Sequence, residues 1–223
     1  MPVIDYVKEY DFEIVTWDVF EKSEELIHQL NLPSEKVAKF KNFPEKQGRE
    51  YLGLQACLHA LNIRADVFYN KNGKPYLNSD KQISISHSYQ KVSIAVGRKA
   101  IGLDIEKKRD HKVLNIESKF IRPDEGFWIP RNQDLADYLH IIWGIKEGLY
   151  KINGGNLWNF LNHYKVEPFE LVANKPINCW IEDVEKRDKY TAYFRRINDF
   201  YLIWVIEKKK KRLKKVAFFF FDF

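Results

Sequence analysis

The sequence predicts an α+β fold built from two halves of similar outline. Helical patterns precede strand-like runs in residues 23–106, and helices precede strands again in residues 107–207. The 223 residues are 45% hydrophobic and 15% aromatic, enough to build sizeable cores and unlike a disordered composition. The expected organisation is an N-terminal half over 1–110, a C-terminal half over 111–207 and a basic, aromatic tail over 208–223. The break between the halves is expected within 107–120, and a ligand site at their junction.

Leu26, Ile27 and Leu30 space as one side of a short helix over 23–30. Ser34, after Pro33, is expected to cap a second short helix carrying Lys36, Lys39 and Lys41. Pro44 opens a longer helix over 45–61, buried through Tyr51, Leu54, Cys57, Leu58 and Leu61. Val67 to Tyr69 reads as a short strand and Asn72-Gly73 as a turn. Ile83 to Ser86, Val92 to Val96 and Ile101 to Glu106 alternate with period two, as strands do. Charged residues and shorter helices fill 107–133. A long helix over 134–152 buries Leu135, Leu139, Ile142, Ile145, Leu149 and Ile152, and Gly154-Gly155 stops it. Strands are then expected over 169–172, 177–181, 190–197 and 200–207.

Cys57 and Cys179 are the only cysteines, one in a helical and one in a strand pattern, which argues against a disulfide framework and a zinc site. No signal-peptide core and no bilayer-length apolar segment is present, so a cytoplasmic protein without stable membrane insertion is expected. Residues 208–223 carry seven Lys or Arg against one Asp, which accounts for the whole net charge of +6. The body is formally neutral, so the basic pI does not license a nucleic-acid reading of it. The tail reads as a solvated extension, or as a contact for an acidic partner or membrane surface. Its apolar end, from Val216, reads as a cover for a core edge or as an aggregation-prone extension.

Asp104 and Glu106 project from one face of their strand, with Cα atoms roughly 6.5–7 Å apart, within reach of one cation. They read either as a solvated face or as half of a site for Mg²⁺ and phosphate. In WGIKEGLYK, residues 143–151, Glu147 and Lys151 share a helix face one turn from Trp143. That pair reads as a surface ion pair or as site residues. Gly144 and Gly148 each cost roughly 1 kcal/mol in a helix, so they signal close approach of a ligand, a backbone or a packed element. Lys46 and Arg49 oppose the helix dipole near the start of their helix, either as surface cations or for a purpose beyond stability. Ser86-His87-Ser88 ends a strand and Lys74 sits beside a turn. Taken together these residues offer the carboxylates and cations that a metal–diphosphate site requires.

GKP, ISHS, IGLDIE and WGIKEGLYK, in that order and at those intervals, resemble the motifs of the 4'-phosphopantetheinyl transferases, in particular their larger single-chain class. The motifs cover 73–157, and a looser likeness of element order covers about 30–207. The resemblance implies a pseudo-symmetric two-half α+β fold with coenzyme A bound between the halves. It implies that Asp104, Glu106 and Glu147 hold Mg²⁺ and that Lys151 contacts the diphosphate. Ser86 and His87 would bind phosphates, Lys74 would lie near the adenosine end, and Arg49 would contact the 3'-phosphate. Lys36 and Lys39 would be further phosphate-binding lysines. The implied reaction moves phosphopantetheine to a serine of an acyl- or peptidyl-carrier protein, with Glu147 as general base and the protein a monomer. Gly148 stands where serine or alanine is usual and Ser84 where asparagine is, and neither change removes a metal ligand. Two alternatives are a coenzyme A or carrier-binding module without catalysis, and a metal-dependent nuclease suggested by D-x-E-x-K through Lys108.

Overall fold

A computed structural model describes residues 3–207. The expectations for 208–223 lie outside the described residues. The chain runs β1 (Val3–Lys8), β2 (Phe12–Asp18), α1 (Ser23–Gln29), α2 (Ser34–Lys41), α3 (Glu45–Ala60), β3 (Val67–Tyr69), β4 (Pro75–Leu77), β5 (Gln82–Ser88), β6 (Lys91–Gly97) and β7 (Ile101–Lys107). It continues with α4 (Asp110–Asn115), a 3-10 turn (Glu117–Lys119), α5 (Pro123–Gly126), α6 (Leu135–Ile152), α7 (Phe160–His163), β8 (Tyr164–Val166), β9 (Ile177–Asp183), β10 (Lys186–Ile197) and β11 (Phe200–Glu207).

Two antiparallel sheets form, in the orders β1-β2-β6-β5 and β7-β11-β10-β9-β8, with β3 and β4 as a separate hairpin. Alternation assigns each face. In the first sheet, Val15, Trp17, Ile94 and Val96 turn toward α1 and α3, where Leu26, Leu52, Ala56 and Cys57 close one core. In the second, Ile203 and Val205 turn toward the stripe of α6 formed by Leu139, Ile142, Ile145 and Leu149. The remaining faces meet each other: Ile101, Leu103, Ile105, Leu202 and Trp204 pack with Val7, Ile14 and Ala95. The outcome is a mixed α/β fold in which each sheet carries one long helix on its outer face.

Several expectations change. β1 and β2 have no counterpart in the sequence reading, although Glu13-Ile-Val-Thr-Trp17 is rich in β-branched and aromatic residues. Ser34 is the first helical residue and makes no cap hydrogen bond; Pro33 holds the cap position. The strand expected over 169–172 is absent, and Tyr164–Val166 pairs with β9 in its place. Phe169 instead inserts its ring beside Trp128 and Tyr138, and its carbonyl accepts the Tyr138 hydroxyl at 3.2 Å. The stop after α6 holds, with Gly154 and Gly155 at φ +70 and +77. β7, assigned to the first half, pairs with β11 and so belongs to the second sheet.

Candidate active site

β7 ends its sheet, and among the described residues its outward N–H groups have no strand partner. A ladder of serines takes them. The hydroxyls of Ser84, Ser86 and Ser88 accept from the backbone N–H of Leu103, Ile105 and Lys107 at 3.0, 3.1 and 3.2 Å. Period two on β5 matches period two on β7, so each rung falls beside the next outward N–H. Two rungs do more. Ser86 donates to Asp104 Oδ1 at 2.9 Å, and Ser88 donates to Glu106 Oε2 at 3.3 Å. Ser84 stands beside Gly102 and has no acid to orient.

Lys151 completes the inner cluster. Its ammonium contacts Ser86 Oγ at 3.2 Å, the Leu103 carbonyl at 2.7 Å and Asp104 Oδ1 at 3.1 Å. The Ser86 hydroxyl therefore donates once and accepts twice, which fills its capacity. A phosphate would reach it only by replacing one of those partners. Asp104 Oδ2 is buried with no hydrogen-bond partner among the described residues. Glu147 feels this directly. Burial, then the charge of Asp104, push its carboxyl up to about 7 against the opposing pull of Lys151, with Glu106 adding a smaller push.

Close backbone contact brings Glu147 there. A Cβ on Gly102 would overlap the Gly148 carbonyl, and one on Gly148 would meet Val205 Cγ2 at 2.8 Å. One on Gly144 would meet Ile203 Cδ1 at 2.6 Å. The glycines that interrupt α6 thus face the sheet and let the helix settle onto β7 and β11.

Glu106 is held differently. The guanidinium of Arg109 pairs with it, and Lys112 lies 3.8 Å away. Arg109 is fixed in turn by its N–H, which donates to His140 Nε2 at 3.0 Å. Burial pushes the His140 imidazole down from its ordinary value, in keeping with a neutral ring that accepts. Among the described residues no group of three or more His, Cys, Asp or Glu side chains is gathered as in an assembled metal site. Lys151 and Arg109 instead supply positive charge to Asp104 and Glu106. The residues nevertheless fit a divalent cation, since an unpartnered buried carboxylate oxygen and a strained neighbouring carboxyl both call for one.

Beyond the acids a cleft opens. A cavity of about 250 Å³ is lined by Lys74, Ser84, His87, Tyr150 and Lys151. It meets a cavity of about 580 Å³, lined by Lys36, Lys39, Glu50 and Tyr51, at Tyr69, Ile85 and His87. Lys36 reaches Gln55 at 3.0 Å and Asp66 at 3.0 Å, and Lys39 lies 5.6 Å over the Tyr51 ring. His87 sits on the opposite face of β5 from the serines, 3.2 Å from Glu50. The Lys74 ammonium donates to the Ile152 carbonyl at 2.8 Å, so it caps the end of α6. Arg49 is not brought to the cleft. It pairs at 3.1 Å with Glu45, one turn earlier on the exposed side of α3. Lys46 likewise pairs with Glu50 at 3.9 Å, which supplies the local reason for both cations.

Sequence reasoning gave no individual role to Ser88, Arg109 or Tyr69. The third serine of the alternating run was a usable signal for the first. Arg109 lay within a charged stretch that gave none. Lys108, the third member of D-x-E-x-K, is turned to Asp137 and Asp110 and away from the acids.

A cleft with lysines along it, joined through Lys151 to the carboxylate of Asp104 on a two-sheet α+β scaffold, has the chemistry to receive a phosphorylated ligand. Residues 100–205 match the model of the 4'-phosphopantetheinyl transferase superfamily. It is 27% identical over 125 residues to the 4'-phosphopantetheinyl transferase gsp of Aneurinibacillus migulanus, covering 53% of this chain and 50% of that one. It is 33% identical over 98 residues to a 4'-phosphopantetheinyl transferase of Bacillus subtilis, covering 42% and 43%. The matched stretches thus span half or less of those relatives' lengths.

Proposed function

We propose that the protein transfers 4'-phosphopantetheine from coenzyme A to a serine hydroxyl of an acyl- or peptidyl-carrier protein. What supports the reading most is the joining of Lys151, Ser86 and Asp104 at the inner end of a cleft whose outer part holds His87, Lys39 and Lys36. Coenzyme A would lie along that cleft, its diphosphate at Lys151 and its adenosine end toward Lys36 and Lys39. Arg49 would reach the 3'-phosphate only after leaving Glu45. We assign Asp104, Glu106 and Glu147 as holders of Mg²⁺, which when bound supplies charge to offset that of the diphosphate.

The chain's own residues do the rest. The acceptor oxygen bonds to the phosphorus on the pantetheine side, and the bond from that phosphorus to the bridging oxygen breaks. Adenosine 3',5'-bisphosphate leaves, and Lys151 offsets the charge gained by its phosphate. Glu147 takes the serine proton, directly or through one water. The reading carries with it a cytoplasmic reaction by a monomer.

Intact-mass spectrometry of an apo carrier protein incubated with this protein, coenzyme A and Mg²⁺ tests it. The expected result is a gain of one phosphopantetheine, lost with EDTA and in Asp104→Ala. No gain on fatty-acid and peptide-synthase carriers, with coenzyme A bound, would leave a binding module. Absence of coenzyme A binding would overturn the reading altogether.

A further inference from the structure

Lys146 and Glu125 pair at 2.6 Å with neither side chain exposed to solvent. No step of the proposed reaction uses them. Lys146 immediately precedes Glu147, so the two side chains leave α6 roughly 100° apart around its axis. The Lys146 ammonium also donates to the Phe120 carbonyl at 2.6 Å. The Glu125 carboxylate accepts the N–H of Arg122 at 2.9 Å and that of Val166 at 2.8 Å. Two bonds from Lys146 therefore tie α6 to the segment 120–125, one bond ties that segment to β8, and one closes the start of α5 itself. Trp143, one turn before Glu147, packs edge-on against Phe120 at 5.2 Å and grips the same segment. At Gly144 and Gly148 the helix rests on β7 and β11 with no room for a side chain. It is thus pressed flat on one side and pinned on another.

A buried ion pair adds little stability over an apolar pair of equal volume, because desolvation offsets the attraction. Stability alone leaves the pair without a reason. Directed bonds do what an apolar contact does not: they fix how far a helix is rotated and where it stops along its axis.

We propose that Lys146 and Glu125 are positioning residues whose pairing sets the rotation of α6, so that Glu147 faces Asp104 and Glu106. The inference rests on the transferase reading. Two variants test it. Lys146→Met combined with Glu125→Gln removes the charges while keeping volume and an acceptor, and Glu125→Asp keeps the charge but shortens the reach. The readouts are melting temperature, Mn²⁺ binding to the free protein by electron paramagnetic resonance, and kcat against KM for coenzyme A.

Folded variants are expected to bind Mn²⁺ about 10-fold or more weakly, the scale for loss of an outer partner of a metal ligand. The value of kcat should fall by a similar ~10-fold, with KM for coenzyme A held within about twofold, because only the reacting end moves. Folded variants with the Mn²⁺ affinity and kcat of the wild type would overturn the inference and leave the transferase reading intact. A pair whose every replacement unfolds the protein is a structural pair, and that result overturns it equally. A wild-type protein that binds no Mn²⁺ and transfers nothing overturns both readings together.

Discussion

The two long helices occupy similar places and carry opposite neighbours. α3 lies on the first sheet and directs Glu50 at His87 of β5, 3.2 Å away. α6 lies on the second sheet and directs Glu147 toward β7, where the charge it feels most is that of another carboxylate, Asp104. One glutamate meets a partner able to carry positive charge. The other is pushed up to about 7 by burial first and by repulsion second. Packing follows the same split. Gly53 of α3 faces the side chains of Val92 and Val19, whereas Gly148 of α6 touches the backbone of Gly102. A side chain can rotate out of the way and a carbonyl cannot, so the second contact is the more rigid. The scaffold permits binding on one half, and on the other it imposes an electrostatic demand that a cation would meet.

Breaking the demanding half should cost most. Asp104→Ala is expected to lower kcat by at least about 100-fold, beyond what loss of an outer partner costs. Circular dichroism should show the fold retained. Next comes the rigid contact. Gly102→Ala must lift α6 off β7, at about 1–3 kcal/mol of stability by the usual cost of overpacking. Chemical denaturation measures that loss, and an unchanged midpoint would show that α6 yields there as easily as α3.

The serine ladder allows a finer comparison. Ser88→Ala leaves both the Lys107 N–H and one Glu106 oxygen without their partner, and should weaken Mg²⁺ binding roughly 10-fold. Ser84→Ala removes only a backbone partner, and should cost about 1 kcal/mol of stability with Mg²⁺ affinity unchanged. Titration calorimetry on both variants separates the two roles. The binding half should respond least. Lys39→Ala is expected to raise KM for coenzyme A by roughly 3–10-fold with kcat unaffected, the mark of lost uniform binding. A fall in kcat there would erase the division of labour between the halves.

What was legible in the sequence was whatever is written as period. The alternation of Ile101 to Glu106 put both acids on one strand face, the stripe of α6 marked its buried side, and Gly154-Gly155 marked where the helix ends. The cost of Gly144 and Gly148 pointed to a close approach; the structure supplies its object, the backbone and side chains of β7 and β11. Contacts between a side chain and a distant backbone leave no such trace. Nothing in Ser86 distinguishes a hydroxyl waiting for phosphate from one already shared among Asp104, Lys151 and the Ile105 N–H. Arg49 illustrates the same limit from the other side, because Glu45 four residues earlier claims it first. Phe169 looked like strand because an aromatic beside aliphatics suits a pleated surface, yet its ring found a better home against Trp128 and Tyr138.

The pairing of β7 has a consequence in time. Its serine partners lie 18 or 19 residues upstream. Its strand partner, β11, sets Asp104 opposite Ile203. On a ribosome adding about 5–20 residues per second, that partner emerges roughly 5–20 s after β7. In the interval one edge of the acid-bearing strand is satisfied by hydroxyls, and the other is open to any passing strand. The serine partners are thus synthesised before the strand they satisfy, and the β11 partner only well after it.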